Sequence, residues 1–162
     1  MWKILTLSLW MLQMALAGIA HSPPEQQEQP VFQWSEVPGE IEERMLGASL
    51  PEEEREALTS LAYVQVTYWD YEGRTQSGEL VVHRDLAQEV ADIFEELYEE
   101  GFPIASVRLI DEYGAQDELS MEANNTSAFC YRKIAGSSRL SNHALGRAID
   151  INPLQNPHVK EG

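Results

Sequence analysis

The sequence predicts an α+β domain in which a small antiparallel or mixed sheet is flanked by helices. Segments with the period-two alternation of strands lie on both sides of one long segment with helical periodicity, and no internal repeat interrupts this order. With 162 residues, of which 43% are hydrophobic, the chain has the length of one domain with appendages and enough apolar residues for a buried core.

The first twenty residues have the features of a secretory signal peptide. Lys3 precedes an apolar run from Ile4 to Ala20. Ala15-Leu16-Ala17 supplies the small residues that a signal peptidase recognises, and Gly18-Ile19-Ala20, at the end of the run, is a second option. An uncleaved membrane anchor is the alternative, but the run contains Gln13 and is short for spanning ~30 Å of hydrocarbon. We therefore expect residues 1–20 to be removed on export to the periplasm or the extracellular space, with no stable membrane insertion afterwards.

Residues 21–40 follow as a predicted linker, because they are rich in Gln, Glu and Pro and show no apolar period. Residues 41–162 are predicted to be a partial domain. Near its start, Pro51 followed by Glu52-Glu53-Glu54 indicates a first helical turn, with proline at the beginning and acids near the positive end of the helix dipole.

A hairpin begins the clearly folded part. Alternation from Leu61 to Trp69 predicts a strand, Asp70 to Arg74 with Gly73 predicts a loop, and Gly78 to His83 predicts the returning strand.

One long helix is predicted to follow the hairpin. Asp85 is the expected N-cap and Gln88 its capping-box partner, while Gly101 and Pro103 end the segment. The expected buried face consists of Leu86, Val90, Ile93, Phe94 and Leu97.

The remaining pattern predicts more strands. Ile104 to Ile110 is expected to be a third strand, the polar stretch Asp111 to Ser127 a loop, and Ala128 to Arg132 and Arg147 to Ile151 two further short strands.

Charge and cysteine content limit the function classes. The chain has 27 Asp and Glu against 11 Lys and Arg, and such an acidic protein repels the phosphate backbone, so we expect no nucleic-acid partner. Cys130 is the single cysteine, which excludes an intrachain disulfide. Its apolar neighbours indicate an inert core thiol rather than a nucleophile.

The segment from Ser141 to Asp150 contains the candidate metal ligands. His143 and Asp150 are residue types that bind Zn²⁺, and Gly146 between them permits the turn that their spacing requires. In an extended Arg147–Ile151 segment, Asp150 faces away from the flanking isoleucines. The alternative is a solvated histidine and aspartate in an ordinary turn and strand.

The order Ser-x-His-x-x-Gly-x-Ala-x-Asp over residues 141–150 resembles the zinc-binding motif of the D-Ala-D-Ala carboxypeptidase family, whose members include VanY-type carboxypeptidases, dipeptidases and phage endolysins. The resemblance extends over about residues 61–159. It includes Ser120-Met121, Asn124-Asn125-Thr126-Ser127-Ala128-Phe129, Tyr131-Arg132 and Asn152-Pro153.

This resemblance implies a small α+β domain with an antiparallel sheet, a fold that the family shares with the Hedgehog signalling domain. It implies a Zn²⁺ cofactor with His143 and Asp150 as the first two ligands. Arg132 would be the catalytic residue that stabilises the oxyanion, a sound role for a fixed guanidinium, although a structural salt bridge is the alternative. Ser141 would bind substrate or orient the site.

The family also has a third ligand and a general base in a downstream D/E-x-x-H segment, and no such segment precedes Gly162. The remaining histidines, His21, His83 and His158, are not expected to bind the metal. The resulting expectation is a zinc-dependent peptidase acting on peptidoglycan stem peptides, as a carboxypeptidase or an endopeptidase, that is incomplete in this chain. The alternative is a non-catalytic peptide-binding module, or an inactive gene fragment of the same fold.

Overall fold

The computed structural model describes residues 29–134 and 136–157, so the predicted signal peptide and His158 lie outside the described residues. The described elements are, in chain order, β1 (Phe32–Ser35), α1 (Gly39–Met45), β2 (Leu61–Trp69), β3 (Thr75–His83), α2 (Ala87–Glu99) and α3 (Asp117–Glu122). Short 3-10 helices lie at Glu52–Ser60, Arg84–Leu86, Ile110–Tyr113 and His143–Leu145. The predicted α+β class is confirmed.

The sheet is antiparallel with the strand order β1-β2-β3. The β2–β3 hairpin is confirmed, although β3 begins at Thr75 and not at Gly78 as predicted, and Gly73 in its loop has φ +72°. The second half of the predicted linker is folded, because Phe32 to Ser35 pair with β2 and α1 begins at Gly39. Phe32 packs against the core, and this burial explains why a segment without apolar periodicity is part of the sheet.

Both faces of the sheet are covered. On one face, Val64 and Val66 of β2 and Leu80 of β3 pack on Phe94 of α2. On the other face, residues of opposite parity, among them Leu61 and Val81, pack on Met45 of α1 and on Phe129. Alternation along β2 therefore supplies two apolar clusters rather than one buried and one solvated face.

The helix starts differ in detail from their predictions. Pro51 does precede a helical segment, which is a 3-10 helix. Before α2, the imidazole of His83 accepts a hydrogen bond from the Asp85 backbone N–H, so Asp85 is not the N-cap. The Gln88 side chain donates to Asp92 instead of completing a capping box, and Ile93 is 42% exposed because the buried face is centred on Ala87, Val90, Ala91 and Phe94.

The predicted strand Ile104 to Ile110 is wrong, although the segment is extended. Its backbone hydrogen bonds go to two different strands: Ile104 N–H donates to Trp69 O of β2, and Val107 O accepts from Glu79 N–H of β3. Two asparagine side chains take the positions that a neighbouring strand would occupy, since Asn125 bonds both backbone groups of Arg108 and Asn152 accepts from Ala105 N–H. Amide side chains therefore replace a continuous ladder here.

The chain after Ile110 also departs from the prediction. The expected loop contains the 3-10 helix Ile110–Tyr113 and α3, while Ala128–Arg132 and Arg147–Ile151 do not form strands. Ser127 and Asp150 nevertheless form an isolated antiparallel bridge. In the two described ranges, no helix combines the length and the apolar character needed to cross a membrane.

Candidate functional site

The candidate site is formed where two chain segments, residues 127–132 and 141–150, lie side by side. Ser127 and Asp150 exchange two backbone hydrogen bonds of 3.2 and 3.0 Å. Farther along, Cys130 N–H donates to His143 O at 3.3 Å, and Ser141 N–H donates to Arg132 O at 3.0 Å. These contacts place the backbones of the four predicted site residues in two adjacent segments, with Arg132 on one and Ser141, His143 and Asp150 on the other.

Gly146 joins the site to the sheet. It ends the 3-10 helix His143–Leu145 in the left-handed conformation, with φ +65°, as its predicted turn requires. Its carbonyl accepts a hydrogen bond of 2.8 Å from His83 N–H at the edge of β3. A Cβ at this position would overlap His83 N and lie 2.8 Å from the Val82 carbonyl carbon. Only glycine allows the loop to lie this close to the strand.

The His143 ring is held in one orientation by the backbone. Its Nδ1 lies 2.7 Å from the Ala128 carbonyl oxygen. A carbonyl oxygen only accepts, so Nδ1 carries a proton and donates, and the neutral ring has its lone pair on Nε2. Metal-binding histidines typically have this arrangement, in which the second ring nitrogen donates to a carbonyl or carboxylate.

The Nε2 atom of His143 faces the carboxylate of Asp150. The distance from Nε2 to Asp150 Oδ2 is 3.3 Å, longer than the ~2.7–2.9 Å of a charge-assisted hydrogen bond. Two ligands at about 2.0–2.2 Å from one tetrahedral zinc ion are roughly 3.4 Å apart. The two side chains are 15% and 39% exposed, so the site is open to solvent on the Asp150 side. The pair therefore fits two donors of a shared cation.

A third donor is not close to this pair in the part of the chain that the structure describes, where no group of three His, Cys, Asp or Glu residues is suited to a metal. His83 lies next to Gly146, but its ring contacts Arg147 Nη2 at 3.1 Å through Nε2 and Asp85 N–H through Nδ1. The described residues thus offer two donors, whereas a catalytic zinc site normally has three protein ligands and a water.

Arg132 is paired with an acid that is not among the predicted site residues. Its Nη2 lies 2.8 Å from Oδ2 of Asp117 at the start of α3. A guanidinium has five N–H donors, so donors remain for a substrate oxygen. Its Nε is buried, with no hydrogen-bond partner among the described residues, and is therefore not one of the donors open to a substrate. The side chain is 35% exposed, which leaves it accessible.

Ser141 has a structural contact in addition to its expected one with substrate. Its Oγ accepts a hydrogen bond of 3.1 Å from the N–H of Ala144, inside the 3-10 helix His143–Leu145. The hydroxyl hydrogen stays available as a donor. The role of Ser141 in substrate binding stays a prediction.

Cys130 is a buried free thiol, as expected. Burial raises its pKa to about 11, and this effect exceeds the opposing contribution of the nearby Arg132. The thiol is therefore protonated near neutral pH, which agrees with a core residue and not with a nucleophile.

Three residues that organise the site were not selected from sequence. Asp117 was assigned to a polar loop, and Asn125 and Asn152 entered only through the family resemblance. Both asparagines are buried and each bonds at least two backbone groups. Asn152 adopts φ +46°, which is uncommon for a side-chain-bearing residue. The sequence signal for the two asparagines was their position beside apolar residues. An asparagine buried there must have its amide fully hydrogen-bonded, and this makes it a candidate for bonding the backbone of another segment.

Residues 135–162 match a family model described as D-alanyl-D-alanine carboxypeptidase, in peptidase family M15. The matched range includes His143 and Asp150 but not Arg132. It supports a peptidase of this family without distinguishing the VanY-type members. No curated protein matches the chain. No solved structure matches it either.

Proposed function

We propose that this protein is a zinc-dependent peptidase that cleaves peptides ending in D-Ala-D-Ala, such as peptidoglycan stem peptides, after export from the cytoplasm. The observation that supports it best is the pairing of His143 Nε2 with Asp150 Oδ2 at 3.3 Å, with the opposite ring nitrogen bonded to Ala128 O. The match to a D-alanyl-D-alanine carboxypeptidase model over the same residues supports the reaction class.

In this proposal the protein residues have distinct tasks. The Ala128 carbonyl accepts from His143 Nδ1, so that the Nε2 lone pair faces the Asp150 carboxylate and the two would bind Zn²⁺ together. Bound Zn²⁺ would polarise the scissile carbonyl and lower the pKa of a coordinated water. Arg132, oriented by Asp117, would donate to the oxygen on which negative charge develops. A third ligand and a general base would come from residues other than those described.

Metal binding tests the assignment directly. Zinc stoichiometry of the purified protein is measured by elemental analysis and by competition with a chromogenic chelator. We expect His143→Ala and Asp150→Ala each to lower zinc affinity at least ~100-fold, whereas Arg132→Ala leaves it unchanged and affects only turnover. Zinc content that is equal in the wild type and in His143→Ala contradicts the proposal.

The alternative function is a non-catalytic module that binds the same peptides. The two-donor set among the described residues favours it, because a pair of ligands holds zinc weakly. Hydrolysis of a D-Ala-D-Ala peptide with excess Zn²⁺ distinguishes the two functions. Peptide binding without turnover supports the module, and turnover that is lost in His158→Ala makes His158 the third ligand.

A further inference from the structure

Charge is distributed unevenly in this acidic protein. None of the 27 acidic residues lies between Glu122 and Asp150, whereas four of the 11 basic residues do, namely Arg132, Lys133, Arg139 and Arg147. The formal net charge is −16. The candidate site is therefore built on a basic stretch of a protein that otherwise repels anions. Locally concentrated charge of this kind attracts ligands of the opposite sign.

Residues 132–134 and 139–141 pair as the two arms of a short antiparallel hairpin, which we call the basic hairpin. Lys133 and Leu140 form an antiparallel bridge. On either side of it, Ser141 N–H donates to Arg132 O at 3.0 Å and Ile134 N–H donates to Arg139 O at 2.9 Å. The arms start at Arg132 and Ser141, so the hairpin projects directly from the candidate site.

The register of the basic hairpin separates its two exposed cations. Residues opposite each other across an antiparallel pair share a face, and successive residues alternate between faces. Arg139 and Ile134 therefore share the face of Arg132 and Ser141, while Lys133 and Leu140 are on the other face. Arg139 is opposite Ile134, which makes it the diagonal neighbour of Arg132 across the pair, roughly 7–8 Å away.

The exposed cations of the basic hairpin, unlike most other cations of the chain, are not paired with a carboxylate of the described residues. Arg44, Arg55, Arg74 and Arg84 each pair with a glutamate or an aspartate. Within residues 29–134 and 136–157, neither Lys133 nor Arg139 has a carboxylate within 4.0 Å, and both side chains are exposed. Ile134 beside Arg139 is 44% exposed. A cation next to an aliphatic surface is suited to a carboxylate on a short aliphatic side chain.

We infer that Arg139 and Ile134 form a binding subsite for a peptide that carries a second carboxylate about two residues from the scissile bond. This inference rests on the proposed peptidase site for its orientation. It adds the substrate class, an acidic peptide, and the residue that selects it. Lys133 has the same charge and lies in the same hairpin but on the opposite face, so it is the matched control.

The test is equilibrium binding of peptides, measured by fluorescence anisotropy with the full chain in the presence of a chelator, so that no turnover is involved. Two labelled peptides ending in D-Ala-D-Ala are compared: one has an upstream side-chain carboxylate, and the other has the same group as a carboxamide. We expect Arg139→Gln to weaken binding of the acidic peptide about fivefold, the scale of one exposed ion pair. The amide peptide should change less than about twofold, and so should both peptides with Lys133→Gln.

Salt supplies a second criterion. The preference of the wild type for the acidic peptide should shrink as ionic strength approaches 1 M, where exposed charges are screened beyond ~3 Å. If Lys133→Gln and Arg139→Gln weaken binding of the acidic peptide equally, the attraction is general and the subsite is overturned. An equal loss of affinity for both peptides in Arg139→Gln, or no measurable binding of the acidic peptide to the wild type, would also overturn it. Failure of the zinc proposal would leave this result unaffected, because binding is measured without metal.

Discussion

Substitution of Gly146 by alanine tests how the candidate site is attached to the sheet. The residue has φ +65°, and an alanine there costs about 1 kcal/mol from backbone strain alone. The added Cβ would overlap His83 N and lie 2.8 Å from the Val82 carbonyl carbon, both backbone atoms of β3. Because β3 is paired with β2 along its whole length, the strand cannot yield, and the loop must move away.

The movement of the loop determines how much stability Gly146→Ala loses. A retreat of about 1 Å breaks the 2.8 Å hydrogen bond from His83 N–H to Gly146 O, which costs about 1 kcal/mol. Displacing the packed loop costs a further ~1–3 kcal/mol, the usual range for overpacking. We therefore expect Gly146→Ala to lower the free energy of unfolding by about 3–5 kcal/mol. Zinc affinity should fall as well, since the loop carries His143.

Gly101→Ala is the matched control, because Gly101 has φ +67° and, beyond its own stretch of chain, no atom of the described residues lies within 4 Å of the point where an added Cβ would stand. It should lose only the strain, about 1 kcal/mol. Urea denaturation followed by circular dichroism measures both variants. If the two free energies of unfolding agree within about 0.5 kcal/mol, the close approach of the loop to β3 does not constrain position 146 and the reasoning is wrong.

Two further predictions concern buried groups. At pH 8 the folded protein should react with a thiol reagent at least ~100-fold more slowly than the urea-unfolded chain, because the pKa of Cys130 is raised to about 11. Similar reaction rates in the folded and unfolded chains would contradict this prediction. Because the native state holds the thiol proton more tightly, the stability from this group is complete below about pH 8.5 and is lost as the pH rises towards 11. Asn125→Ala should lower the free energy of unfolding by about 3–5 kcal/mol, because it removes a fully buried amide and leaves both backbone groups of the half-buried Arg108 unpaired. The exposed Asn156→Ala, which removes one bond to Ile151 O, should cost less than about 1 kcal/mol, and equal losses would refute the role of Asn125.

The sequence by itself determined the elements whose information is local. The hairpin of β2 and β3 followed from alternation and a glycine-containing loop, and the end of α2 followed from Gly101. The turn between His143 and Asp150 was also readable, because Gly146 is the residue type that permits φ +65°. In each case the interaction that decides the structure lies within a few residues along the chain.

Only the tertiary structure decided where non-local partners replace local ones. Phe32 to Ser35 form a strand because β2, some thirty residues later, offers an edge. Ile104 to Ile110 does not form a strand, because the Asn125 and Asn152 side chains occupy its hydrogen-bonding groups. The same holds at the site, where Ala128 O orients His143 and Asp117 holds Arg132. These contacts depend on the meeting of distant segments, and neither periodicity nor residue spacing encodes which segments meet.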